Sequence, residues 1–60
     1  MNRQVIFEFV TIGQYVRVSA MDVQTMTEIN IQGPAGAPEQ MLKSNALKRL
    51  EFVLKKKGLI

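Results

Sequence analysis

Gln4-Val5-Ile6-Phe7-Glu8-Phe9-Val10-Thr11-Ile12-Gly13-Gln14-Tyr15-Val16-Arg17-Val18-Ser19-Ala20 is the stretch that decides the fold. Residues 4–12 are rich in β-branched and aromatic types, as strands are. Gly13-Gln14 then breaks the run. A two-residue loop with Gly first suits a type II′ hairpin, because Gly takes a positive φ without steric cost. If Ile12 faces Tyr15, then Val10 faces Arg17, Phe9 faces Val18 and Phe7 faces Ala20. Each residue then meets one from its own side of the sheet, and a slip of one would scramble both sides.

The next connection reads as Asp22-Val23-Gln24-Thr25, with Asp initiating the turn. A four-residue loop there pairs Met21 with Met26, Ala20 with Thr27, Val18 with Ile29 and Val16 with Ile31. Two turns giving one consistent pattern predict a three-stranded antiparallel meander in order 1-2-3, with strands at about 4–12, 15–22 and 26–32. On one side lie Ile6, Val10, Ile12, Tyr15, Met21 and Met26. On the other lie Val5, Phe7, Phe9, Val16, Val18, Ala20, Ile29 and Ile31.

Gly33-Pro34-Ala35-Gly36-Ala37 reads as a loop. Pro38 fits a first helical position, where its missing N–H costs nothing. Glu39 in the first turn and Lys55, Lys56 and Lys57 in the last suit the helix dipole. Gly58 fits the left-handed position just past the helix end. The helix should run from about 38 to 57. Leu42, Ala46, Leu47, Leu50, Val53 and Leu54 share one arc at about 100° per residue, and this stripe should cover Phe7, Phe9, Val18 and Ile29. Met41 and Phe52 fall on the opposite side, near Asn45, Arg49 and Lys56. The fold class is therefore α+β: one domain over residues 1–60, a sheet with one C-terminal helix packed across one face.

Sixty residues form a small core, and a chain of this length buries only about 60 % of the surface its unfolded form exposes. Such domains lean on disulfides, metals, oligomerisation or very regular packing. The chain has no Cys and no His, so disulfides and the common zinc frameworks are excluded. Oligomerisation and regular packing remain. Lack of Cys suits a reducing compartment. No stretch approaches the roughly 20 apolar residues of a membrane span, and Glu8 interrupts the N-terminal apolar run with no cleavage site after it. The expectation is a cytoplasmic protein with no membrane partner.

The net charge of +3 is unevenly placed. Residues 1–37 carry Arg3 and Arg17 against Glu8, Asp22 and Glu28. Residues 38–60 carry Lys43, Lys48, Arg49, Lys55, Lys56 and Lys57 against Glu39 and Glu51. The excess therefore belongs to the helix. Lys48, Arg49, Lys55, Lys56 and Lys57 offer sequence-independent attraction to phosphate backbones. Lys near a helix C-terminus is also ordinary dipole chemistry, so nucleic-acid binding ranks second among the readings.

Catalysis has little to work with. A Ser–His or Cys–His pair cannot be assembled without His or Cys. Glu8 and Glu28 are expected to flank Ser19 on the side away from the helix, but a flat sheet face gives no concave site to perturb a carboxylate or exclude water. The Gly33-Pro34-Ala35-Gly36 loop precedes a helix, yet it lacks the Lys-Ser/Thr ending of a phosphate-binding loop, and Glu39 would repel an anion. No catalytic residue, cofactor site or metal site is expected, and the protein is not expected to be an enzyme.

The surplus is apolar. A small sheet with one helix needs one apolar face, and this one has two. Ile6, Val10, Ile12, Tyr15, Met21 and Met26, with Met41 and Phe52 on the helix, are the expected protein interface, because a contiguous exposed patch marks an interaction surface. The expected partner is a second copy of the chain, giving a homodimer, or another protein.

The run Val-Ile-Phe-Glu-Phe, then Gly-Gln-Tyr-Val-Arg-Val-Ser-Ala-Met-Asp, Thr-Glu-Ile-Asn-Ile-Gln-Gly-Pro-Ala and the helical Ala-Leu-Lys-Arg-Leu-Glu-Phe-Val-Leu resembles a family of short, stand-alone bacterial proteins of unknown function with a βββα layout. The similarity covers nearly the whole chain. It implies a fold and no activity.

Overall fold

In the computed structural model, which describes residues 3–60, three strands precede one helix: β1 (Val5–Ile12), β2 (Tyr15–Asp22), β3 (Thr27–Pro34) and α1 (Glu39–Lys56). The sheet is antiparallel in order β1-β2-β3. The β1–β2 register runs unbroken from Val5 opposite Asp22 to Ile12 opposite Tyr15, as the hairpin reading predicts. Gly13 closes that turn at φ +60°, the conformation for which glycine is favoured.

The β2–β3 pairing differs from expectation by two residues. Ala20 faces Ile29, Val18 faces Ile31 and Val16 faces Gly33. A shift of two preserves which side each residue takes, so the two faces survive. The cause is the turn. Asp22 stays in β2 opposite Thr27, and the loop is residues 23–26. The Met26 N–H donates to the Asp22 carbonyl at 2.8 Å, and Met26 sits at φ +58°. Met26 is therefore a left-handed turn residue, outside the strand and not opposite Met21. Glu28 takes that place, and Ser19 lies between Glu8 and Asn30 instead of between two glutamates.

Gly33 and Pro34 belong to β3 and not to a loop. The reason is packing: a Cβ on Gly33 would run into the side chain of Leu42, so the helix start lies directly on this part of the strand. Pro38 is the residue before the helix, extended at φ −59° and ψ 134°. Its carbonyl accepts from the Met41 and Leu42 N–H groups. The C-terminus ends as the sequence predicts. Gly58 takes φ +72°, its N–H donates to Lys55 O, and the Leu59 N–H donates to Leu54 O. This is the paired-bond helix stop that a left-handed glycine permits.

The core is one layer between sheet and helix. Val16, Val18, Ala20 and Ile29 meet Leu42, Ala46, Leu50 and Leu54. The helix packs on β2 and β3. It leaves Val5, Phe7 and Phe9 of β1 half-buried at the margin. The molecule is a slab of 35 × 17 × 16 Å, two layers thick, and among the described residues no element packs over the far side of the sheet.

Candidate interaction surface

Alternation along each strand sends Ile6, Glu8, Val10 and Ile12 of β1 to the side away from the helix, because successive side chains point to opposite faces. Tyr15, Arg17, Ser19 and Met21 of β2 join them, with Glu28, Asn30, Gln32 and Pro34 of β3. The face is graded. Its β1 side is apolar, with Ile6 52 % and Ile12 40 % exposed, and Val10 and Met21 half-buried among their neighbours. Its β3 side is polar. The Ser19 hydroxyl donates to Asn30 Oδ1 at 2.6 Å, which fixes the middle of that polar half. Among the described residues, Glu8, Arg17 and Glu28 take part in no ion pair.

Of the residues expected at an interface, the structure gathers Ile6, Val10, Ile12, Tyr15 and Met21 on one surface. Met26 stands apart at the turn, 69 % exposed. Met41 and Phe52 are exposed on the outer side of the helix, on the opposite side of the molecule from this sheet face. The guanidinium of Arg49 lies over the Phe52 ring, 5.5 Å from its centroid. Lys48, Lys55, Lys56 and Lys57 are all solvent-exposed on the helix and its end.

The helix side of β1 forms a shallow open groove of about 280 Å3, lined by Phe7, Gln40, Lys43, Ser44 and Leu47. Lys43 Nζ lies 5.0 Å from the centre of the Phe7 ring, so a long flexible cation is what shields this aromatic. No titratable group converges there apart from Lys43. Among the described residues, no three His, Cys, Asp or Glu side chains are placed to hold a metal ion.

The most tightly built polar feature escaped the sequence reading beyond its turn-forming Asp. Asp22 is fully buried. Arg3 donates from Nε to Oδ1 and from Nη2 to Oδ2, both at 3.0 Å. Thr25 donates to Oδ2 from its backbone N–H at 3.1 Å and from its hydroxyl at 2.7 Å. That hydroxyl has one proton, so the Thr27 hydroxyl at 2.9 Å donates to it. The Arg3 fork, followed by the Thr25 bonds, holds the Asp22 carboxyl down at about 2, and the same contact raises the Arg3 pKa. Both carboxylate oxygens accept from donors of this chain, so the cluster fastens the sheet end.

These features define a small βββα domain with one covered and one open sheet face. The chain belongs to the family described as domain of unknown function DUF6898, which matches residues 2–57. No curated protein and no solved structure matches it. Among the described residues, no helix is long and apolar enough to cross a membrane.

Proposed function

We propose that this chain is a protein-interaction module without catalytic activity, acting as a homodimer whose copies meet along β1. The observation that supports this reading is that β1 is left largely uncovered, with Ile6, Val10 and Ile12 on the side away from the helix and Phe7 and Phe9 only half-buried on the helix side. Each such side chain taken out of water contributes about 1.5–3 kcal/mol. That is large for a domain whose core is one layer of eight residues.

Light scattering over a concentration series tests it. The wild-type chain should show twice the 6.8 kDa mass of one chain. The double variant Ile6→Asp with Val10→Asp should fall to the single-chain mass while keeping its circular dichroism spectrum, because both side chains reach solvent in the isolated chain. A wild-type chain that stays at 6.8 kDa throughout, or a variant that stays dimeric, overturns the reading.

A further inference from the structure

The two edges of the sheet are built differently. The Val23 N–H donates to Gln4 O, so even-numbered residues of β1 turn their backbone groups toward β2. The alternation of an antiparallel ladder then turns the N–H and C=O of Val5, Phe7, Phe9 and Thr11 outward. At the other edge, the Ala35 N–H donates to Gln14 O. By the same alternation Glu28, Asn30, Gln32 and Pro34 face outward on β3. Proline has no N–H to offer there, and its outward neighbours are polar or charged. This edge is blunted in the usual ways. The β1 edge has no Pro, no Lys and no bulge over its eight residues. It is also the strand left half-covered on its helix side and open on the other.

We propose that a second copy of this chain adds to the free edge of β1, antiparallel, with Phe9 opposite the partner's Phe9, giving a continuous six-stranded sheet. This rests on the homodimer reading above and adds where and in what register the copies meet. Stacking the open faces on each other would take Glu8, Arg17 and Glu28, which form no ion pair among the described residues of one chain, out of water, and desolvating charges is costly. Edge pairing leaves them in solvent and covers Phe7 and Phe9 as well.

Charge selects the register. Shifting each copy so that Glu8 is central puts two carboxylates directly opposite, which is destabilising. Centring on Phe7 or Val10 overlaps less of Val5–Ile12. Centring on Phe9 sets Glu8 opposite the partner's Val10, and Val10 is itself opposite Arg17 within one chain. Glu8 and the partner's Arg17 then lie two strands apart, about 10 Å between backbones, within reach of two long side chains. The symmetry supplies this pair twice. Ile6 meets the partner's Ile12, joining the two exposed large apolar residues of β1 across the seam.

The chain has no Cys, so single substitutions report the register cleanly. In this arrangement the two Phe9 Cα atoms are about 5.5 Å apart and Ile6 is about 4.5 Å from the partner's Ile12, both within disulfide range. Under mild oxidation Phe9→Cys should convert mostly to covalent dimer and Phe7→Cys should give only traces. Because Phe9 is half-buried, a second test uses exposed sites. Ile6→Cys mixed with Ile12→Cys should cross-link, while each alone should not. A double-mass wild type whose Phe9→Cys chain folds and stays unlinked keeps the homodimer and overturns the edge assignment. So does cross-linking of Phe7→Cys instead. If Phe9→Cys fails to fold, absence of the mixed cross-link overturns it. A wild type of single-chain mass overturns both readings.

Discussion

Asp22 is a fully buried carboxylate, and its surroundings make it tolerable. Two guanidinium N–H groups and two donors from Thr25 replace the water it loses, and hydrogen bonds to charged groups are the stronger kind. Its folded pKa of about 2 lies below the ordinary 3.8. The folded state therefore favours the ionised form. The stability this lends is fully present above 3.8 and is lost as pH falls toward about 2. Asp22→Asn should be less stable than wild type at pH 7. In urea titrations at decreasing pH, the gap should narrow through that window; a constant gap would mean that Asp22 ionisation contributes nothing. The sequence shows Asp22 as a turn former and no more. Its strongest partner, Arg3, is 19 residues away, so no local pattern announces the pair.

At the scale of elements, the hairpin β1–β2 was legible because Gly13 specifies both loop length and turn type. The β2–β3 register was not, because its turn is closed by Asp22 contacts and by Met26 in a left-handed conformation that no glycine announces. The strand faces survived, since the error was two residues and side chains alternate with period two. Most of the candidate surface was legible for the same reason; Met26, wrongly placed on a strand, was not. The offset of the helix was hidden. Helical periodicity shows which side of α1 is apolar but not which strands it covers, although Gly33, opposite Val16 and under Leu42, was a clue. Leu50 anchors this packing with no exposure. Leu50→Ala should cost about 2–5 kcal/mol, comparable with the roughly 3–5 kcal/mol one small core supplies. The variant should show a lost or strongly lowered thermal transition by circular dichroism. A melt within a few degrees of wild type would mean that the helix contributes little.

As a whole molecule, the chain is a two-layer slab whose single helix covers two strands of three. Covering the third would need a wider helix layer or a second chain, and the uneven edges make the second chain the simpler completion. Such a sheet would keep the Tyr15 and Met21 surface open on both copies and double its width. It would also carry the exposed cations of each helix at its two outer flanks.

One residue of β1 has a wider consequence. Glu8 is the single charge in an eight-residue strand otherwise made of Val, Ile, Phe and Thr. Stretches of that composition stack into cross-β fibrils, each copy adding the same residue above the last. In such a parallel, in-register stack Glu8 would form an unbroken column of negative charge at the roughly 4.8 Å fibril repeat. A two-copy assembly centred on Phe9 never brings those carboxylates face to face. Glu8→Val should therefore leave the fold intact yet convert a stored solution to thioflavin-binding fibrils. On that basis, the same carboxylate that would permit a finite pair would deny the strand an endless one.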